Sequence, residues 1–215
     1  METSFPHHLA ELLTSRLCHD LISPISAINT GLELFQETSP GQHTESDEIL
    51  GLILNSAHTA SARISFYRVA FGSGGGKTSV GMIKDLIEKY FLRSKLKIHW
   101  KDSFKKDQLL DMWGRILLNA VLWMSECAPR GGQLEITMPR EDSPVLSLRL
   151  KADSIILHQG TVEALEGKSQ LQDITPRTVP CYFLFCIVKG DNGNLKVTKT
   201  SSPSELVLEV TMNQV

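Results

Sequence analysis

His19 is the residue in this chain best placed to do chemistry, and Asp20 stands beside it. A neutral imidazole nitrogen is a competent nucleophile near pH 7. A carboxylate next to it can hold the second ring nitrogen and orient the ring. Such a pair can take up a phosphoryl group, because phosphoryl transfer asks a protein mainly for in-line positioning and charge. Isolated His-Asp neighbours are common on ordinary surfaces, so the pair alone decides little. The surrounding pattern says more. Leu17, Leu21, Pro24/Ile25, Ile28, Leu32 and Phe35 recur at steps of three and four, which predicts one amphipathic helix over residues 7–37. At about 100° per residue His19 lies roughly 200° from Leu21 and points away from that stripe. Its neighbours on the outer face are Ser15, Arg16, Ile22, Ser23 and Ser26. A mostly small and polar patch around an exposed imidazole suits the docking of a partner protein.

A second helix must support the first. Residues 37–43 are rich in helix breakers and read as a turn. Residues 45–71 then form a second helix, with Ile49, Ile53, Ala57, Ala60, Ile64 and Tyr67 on its buried side. Two long amphipathic helices joined by a turn make an antiparallel hairpin. A lone hairpin has a thin core, and no later pair of long helices is evident. The expectation is therefore a homodimer in which two hairpins form a four-helix bundle. Pro24 removes one backbone hydrogen bond within the first helix and should bend it.

Residues 72–79 are glycine-rich and read as a linker. Gly76-Lys77-Thr78 matches the end of a phosphate-binding loop, but Phe71 replaces the first glycine and a helix precedes it. From residue 80 helices and strands mix. Helices are expected at 81–92 and 106–126, strands at 95–100, 133–139, 144–152, 194–199 and 205–212, and a short helix at 158–167. Gly131-Gly132 marks a turn. Residues 178–188 are apolar and fit a helix or a buried strand equally well. The fold class is α+β: a helical hairpin, residues 1–71, and a sandwich, residues 80–215, with its sheet covered on one face.

The bulk numbers fit this division. The 215 residues carry a formal charge of −2 and are 41% hydrophobic, which points to neither a nucleic-acid binder nor a membrane-surface binder. Residues 1–71 hold 3 Lys/Arg against 8 Asp/Glu, and the remainder 19 against 16, so the two parts have surfaces of opposite sign. Cys18, Cys127, Cys181 and Cys186 form no CxxC or zinc spacing. With no signal peptide and no apolar run of about 20 residues, the expectation is a cytoplasmic protein with reduced thiols, no metal and no membrane span.

The string His19-Asp20-Leu21-Ile22-Ser23-Pro24 resembles the H-box that opens the dimerisation helix of sensor histidine kinases. The longer run Ser15-Arg16-Leu17-Cys18-His19-Asp20-Leu21-Ile22-Ser23-Pro24, followed by Ala27-Ile28-Asn29-Thr30-Gly31-Leu32-Glu33-Leu34, is more similar to ChpT-type histidine phosphotransferases of alphaproteobacteria. The resemblance implies a dimeric hairpin bearing a phosphorylatable His19, followed by a degenerate kinase-like ATPase sandwich. Leu117-Leu118-Asn119-Ala120-Val121 resembles the kinase N box, whose asparagine helps hold magnesium and phosphates. The other kinase boxes are missing. Asp153 is not followed by glycine, and bulky apolar residues fill 179–187 where a glycine-rich loop is needed. The resemblance thus implies no cofactor. His19 would accept phosphate from the receiver domain of a hybrid histidine kinase and return it to response-regulator receivers. Arg63 or Arg68 on the second helix are further docking candidates. The alternatives are an ATP-dependent sensor kinase core or phosphatase, which Asn119 favours, and a non-catalytic dimeric scaffold for response regulators.

The remaining candidates have blander readings. His7 and His8 lie near a terminus, and His58 and His99 lack partners at ligand spacing. Trp100, Trp113 and Trp123 read as core. The cysteines read as small buried hydrophobes, except that Cys18 beside His19 is reactive if exposed.

Overall fold

The computed structural model describes residues 4–38, 43–72, 79–101, 111–139, 145–200 and 205–212, with side chains from His7 onward and without that of Asp111. Most of the turn expected at 37–43, most of the linker at 72–79 and the start of the helix expected from residue 106 lie outside the described residues. The elements are helices α1 (Ser4–Glu37), α2 (His43–Ala70) and α3 (Val80–Phe91), strand β1 (Leu96–Trp100), helix α4 (Asp111–Cys127), strands β2 (Gly132–Thr137) and β3 (Val145–Lys151), helices α5 (Thr161–Leu165) and α6 (Val179–Gly190), and strands β4 (Asn194–Lys199) and β5 (Glu205–Thr211). The α+β class holds. Among the described residues no helix is long and apolar enough to cross a membrane.

The sheet has five strands in the order β1-β2-β3-β5-β4. β1 and β2 run parallel, with Leu96 opposite Gly132 and Trp100 opposite Ile136. A parallel pair needs a crossover, and α4 lies in the connection. The other neighbours are antiparallel. Side chains alternate across the sheet, so Leu134, Ile136, Leu146, Leu148, Leu150, Leu206, Leu208 and Val210 all enter the core. Gln133, Glu135, Arg149 and Lys151 lie on the opposite face and, with His99, line an open depression of about 140 Å³.

α4 is buried on nearly every side. Ile116, Leu117, Leu118, Val121, Trp123 and Met124 are all closed to solvent, as a helix hydrophobic all round must be. It packs against the sheet, α6 and α2. Residues 179–190 prove to be helical. Pro180 sits in the first turn, where its missing N–H costs no helical bond, and Val179, Cys181, Leu184 and Val188 form the buried face.

α1 and α2 form the expected hairpin. They approach closely at Gly31, where a Cβ would fall 2.6 Å from Ile53 Cγ1. Burial along the hairpin is uneven. Leu12, Phe66, Tyr67 and Ala70 join one core with α3 and α4. Ile25, Leu32 and Phe35, on the apolar stripe of α1, are exposed in the single chain. Ile64, expected on the buried side of α2, is 52% exposed. The periodicity identifies an apolar helix face but not what covers it. Near its C-terminus α2 turns the Phe66–Ala70 arc into the shared core, which leaves Ile64 at the edge.

Candidate functional site

His19 stands on α1 with its side chain 85% exposed, as the helical phase requires. Its Nδ1 lies 3.0 Å from Asp20 Oδ1. An ionised carboxylate only accepts hydrogen bonds, so Nδ1 carries the proton and donates it. In the neutral ring Nε2 then keeps its lone pair, on a side chain that is largely open to solvent.

Asp20 is held from several directions. Its Oδ2 accepts from Arg16 Nε at 2.8 Å and from the Tyr67 hydroxyl of α2. Burial pushes the Asp20 carboxyl up, but hydrogen bonds from Tyr67, His19 and Arg16 outweigh it and hold the group below its ordinary value. The carboxylate therefore stays ionised at neutral pH. Tyr67 is pushed in the opposite direction, by burial first and then by neighbouring Tyr90 and Asp20, so its hydroxyl remains a donor. The Tyr67 hydroxyl lies 2.8 Å from that of Tyr90 on α3. Phe66, Tyr67, Phe71, Tyr90 and Phe91 form an aromatic cluster beneath them.

Pro24 and Arg63 explain each other. Residue 24 of a helix normally donates its N–H to the carbonyl of residue 20, and proline has none to give. The Asp20 carbonyl is thus left open, and Arg63 Nη1 of α2 donates to it. α1 continues through Pro24, with its orphaned acceptor satisfied from the neighbouring helix.

The predicted docking residues divide. Ser15, Ile22, Ser23 and Ser26 are exposed. Arg16 is not on that surface. Its side chain is 14% exposed, and its guanidinium lies between Asp20 and Glu126 of α4. Arg63 is likewise engaged, whereas Arg68 is exposed. Cys18 is exposed. Cys127 is buried, and that burial together with the nearby Glu126 charge pushes its thiol up to about 12, so it stays protonated and inert. Trp113 and Trp123 are core, and Trp100 is half-buried.

Tyr67, Tyr90 and Glu126 escaped the sequence reading as site residues. Tyr67 was legible only as a stripe residue, although its hydroxyl signalled a need for a partner. Arg63 had a local signal in Pro24, which announces an open carbonyl four residues earlier. Glu126 had none, because it lies 110 residues from Arg16.

Asn119 is fully buried. Its Nδ2 donates to the carbonyls of Ala70 and Arg115, each at 2.9 Å. This asparagine thus ties α4 to the end of α2. Phe183 of α6 packs on Phe71 and under Arg115, where the sequence placed bulky side chains instead of glycines. Among the described residues no group of three or more His, Cys, Asp or Glu could hold a metal.

A hairpin presenting an exposed, acid-oriented histidine, packed on an α+β unit, defines a phosphotransfer protein of the two-component kind. Residues 80–202 match the family model of the histidine phosphotransferase C-terminal domain, and the chain belongs to that family. It is 28% identical over 206 residues to the protein phosphotransferase ChpT of Brucella abortus (strain 2308), covering 93% of each chain. A solved structure of a bacterial phosphotransferase superposes with a TM-score of 0.79 at 28% identity, covering 94% of this chain and 95% of that one.

Proposed function

We propose that His19 is the phosphoryl carrier of a phosphorelay, accepting from one receiver-domain aspartate and donating to another. The observation that carries this reading is the Asp20 contact, which fixes the proton on Nδ1 and leaves Nε2 free and exposed. Nε2 attacks the phosphorus of an aspartyl phosphate. A P–N bond forms, the P–O bond to the carboxyl group breaks, and its electron pair leaves with the restored carboxylate. The ring becomes cationic because Nδ1 keeps its proton, and Asp20 balances that charge. Donation to a second receiver is the same step reversed.

Docking falls to the exposed Ser15, Ile22, Ser23 and Ser26. Arg16 acts from within, holding Asp20. Incubation with a phosphorylated receiver domain should label the wild-type chain and leave His19→Ala unlabelled. Labelling of His19→Ala sinks the assignment. Labelled ATP alone should not label the chain, because Asn119 is closed to solvent and bulky apolar residues fill 179–187 where a glycine-rich loop would be needed; labelling by ATP would favour a kinase.

The transfer unit proposed is the hairpin, residues 1–71, linked through 72–79 to the kinase-like unit, residues 80–215. The family match beginning at residue 80 supports the second boundary. We further propose that two copies join through their hairpins as a four-helix bundle. Exposed Ile25, Leu32, Phe35, Leu50 and Leu54 support this, since so many large apolar side chains on one hairpin call for a covering partner.

A further inference from the structure

We infer that Glu126, on α4, is a positioning residue for His19: by occupying one arm of Arg16 it keeps Asp20 Oδ1 free for the imidazole. The inference rests on His19 being the phosphoryl carrier. Arg16 reaches Asp20 through Nε and Glu126 through Nη2. Those two nitrogens form the edge with which arginine grips one carboxylate by two parallel hydrogen bonds. Here two different carboxylates divide that edge. Asp20 receives only Nε, at Oδ2, where Tyr67 also donates. Oδ1 is left to His19 Nδ1 at 3.0 Å. Without the Glu126 charge, Nη2 is unclaimed, and a guanidinium buried beside one carboxylate closes into the fork. The second tooth of that fork falls on Oδ1 and competes with Nδ1–H. The histidine is then released to the Nε2–H tautomer, whose Nε2 lone pair is gone. Glu126 belongs to a different part of the chain from the hairpin, so the α+β unit sets the proton position on His19 through Arg16 and Asp20. Burial raises the Glu126 carboxyl and Arg16 only partly offsets this.

The test uses the full chain and potassium phosphoramidate, a small donor that needs no docking surface. Nε2 attacks phosphorus, the P–N bond of the donor breaks, and its nitrogen leaves as ammonia. Phosphorylation is followed by 31P NMR, the His19 tautomer by imidazole 15N shifts, and folding by thermal melting. Glu126→Gln should lower the rate about five- to tenfold, less than outright loss of an orienting acid does, and move His19 toward Nε2–H. Glu126→Asp, one methylene short of Nη2, should move both readouts the same way and serves if the amide variant does not fold. Lysine cannot fork, so in an Arg16→Lys background Glu126→Gln should change the rate less than about twofold. An unchanged tautomer and rate in a folded Glu126 variant overturns the inference, as does an equal loss with and without Arg16. Failure of the wild-type chain to label at His19 instead overturns the carrier assignment on which it rests.

Discussion

At the scale of residues, one carboxylate governs the site. Asp20 holds Nδ1 of His19 and, in the proposed relay, would balance the charge that phosphorylation leaves on the ring. Asp20→Asn keeps the size but removes the charge and admits the wrong tautomer. Its transfer rate should fall by about a hundredfold or more, with the KM for a phosphorylated receiver nearly unchanged because the proposed docking face is intact. A KM effect without a rate effect would place Asp20 in docking instead. Asp20 also links stability to pH. Its folded-state value is depressed below 3.8, so its contribution is present above the unfolded value and is lost as pH falls through the folded one. In acid titrations of thermal stability, Asp20→Asn should remove that part of the wild-type decline below about pH 4. An identical acid limb in both proteins would show that Asp20 is not paired as described.

Elements decide how firmly the carboxylate is held. α1 supplies His19 and Asp20, α2 supplies Arg63 and Tyr67, and α3 supplies Tyr90. Pro24 opens the Asp20 carbonyl and Arg63 closes it, so the two substitutions should be coupled. Arg63→Ala should cost about 1–3 kcal/mol, as for loss of a charged donor to a half-buried acceptor. In a Pro24→Ala background the restored N–H reaches Asp20, and the cost should shrink. Urea unfolding of the four proteins measures this, and additive costs would contradict the pairing. The hairpin crossing makes a second demand. Gly31→Val places a branched side chain where even a Cβ meets Ile53. It should destabilise the chain by about 1–3 kcal/mol through overpacking, and Ile53→Ala should partly rescue it.

For the whole molecule, the hairpin has an apolar end inside the chain and, in the proposed bundle, an apolar face for a second copy. Its Leu12, Phe66 and Ala70 end is consumed within the chain, while its Ile25, Leu32 and Leu54 surface is open. Sedimentation should report a dimer, and a charge at Leu54, 58% exposed, should shift the chain toward monomer with little loss of monomer stability. A wild-type monomer at all concentrations would refute the proposed bundle. A fragment of residues 1–72 should fold poorly, because removal of α3 and α4 exposes Phe66, Tyr67 and Ala70 together.

Much of this was legible before any coordinates. Helical and strand periodicities gave the hairpin, the strands and the α+β class, because burial on one face writes itself into local spacing. The exposure of His19 followed from its phase relative to Leu21, and its neighbour Asp20 is fixed by the chain itself. Tertiary structure alone decided what those residues meet. Periodicity left residues 178–188 undecided between helix and strand, placed Ile64 on a buried side, and gave Arg16 to the outer face. The reason is physical. Spacing records which side of an element is apolar, whereas the partner on that side comes from packing between segments far apart in sequence. Arg16 could be read as a surface residue until α4 brought Glu126 to it across 110 positions.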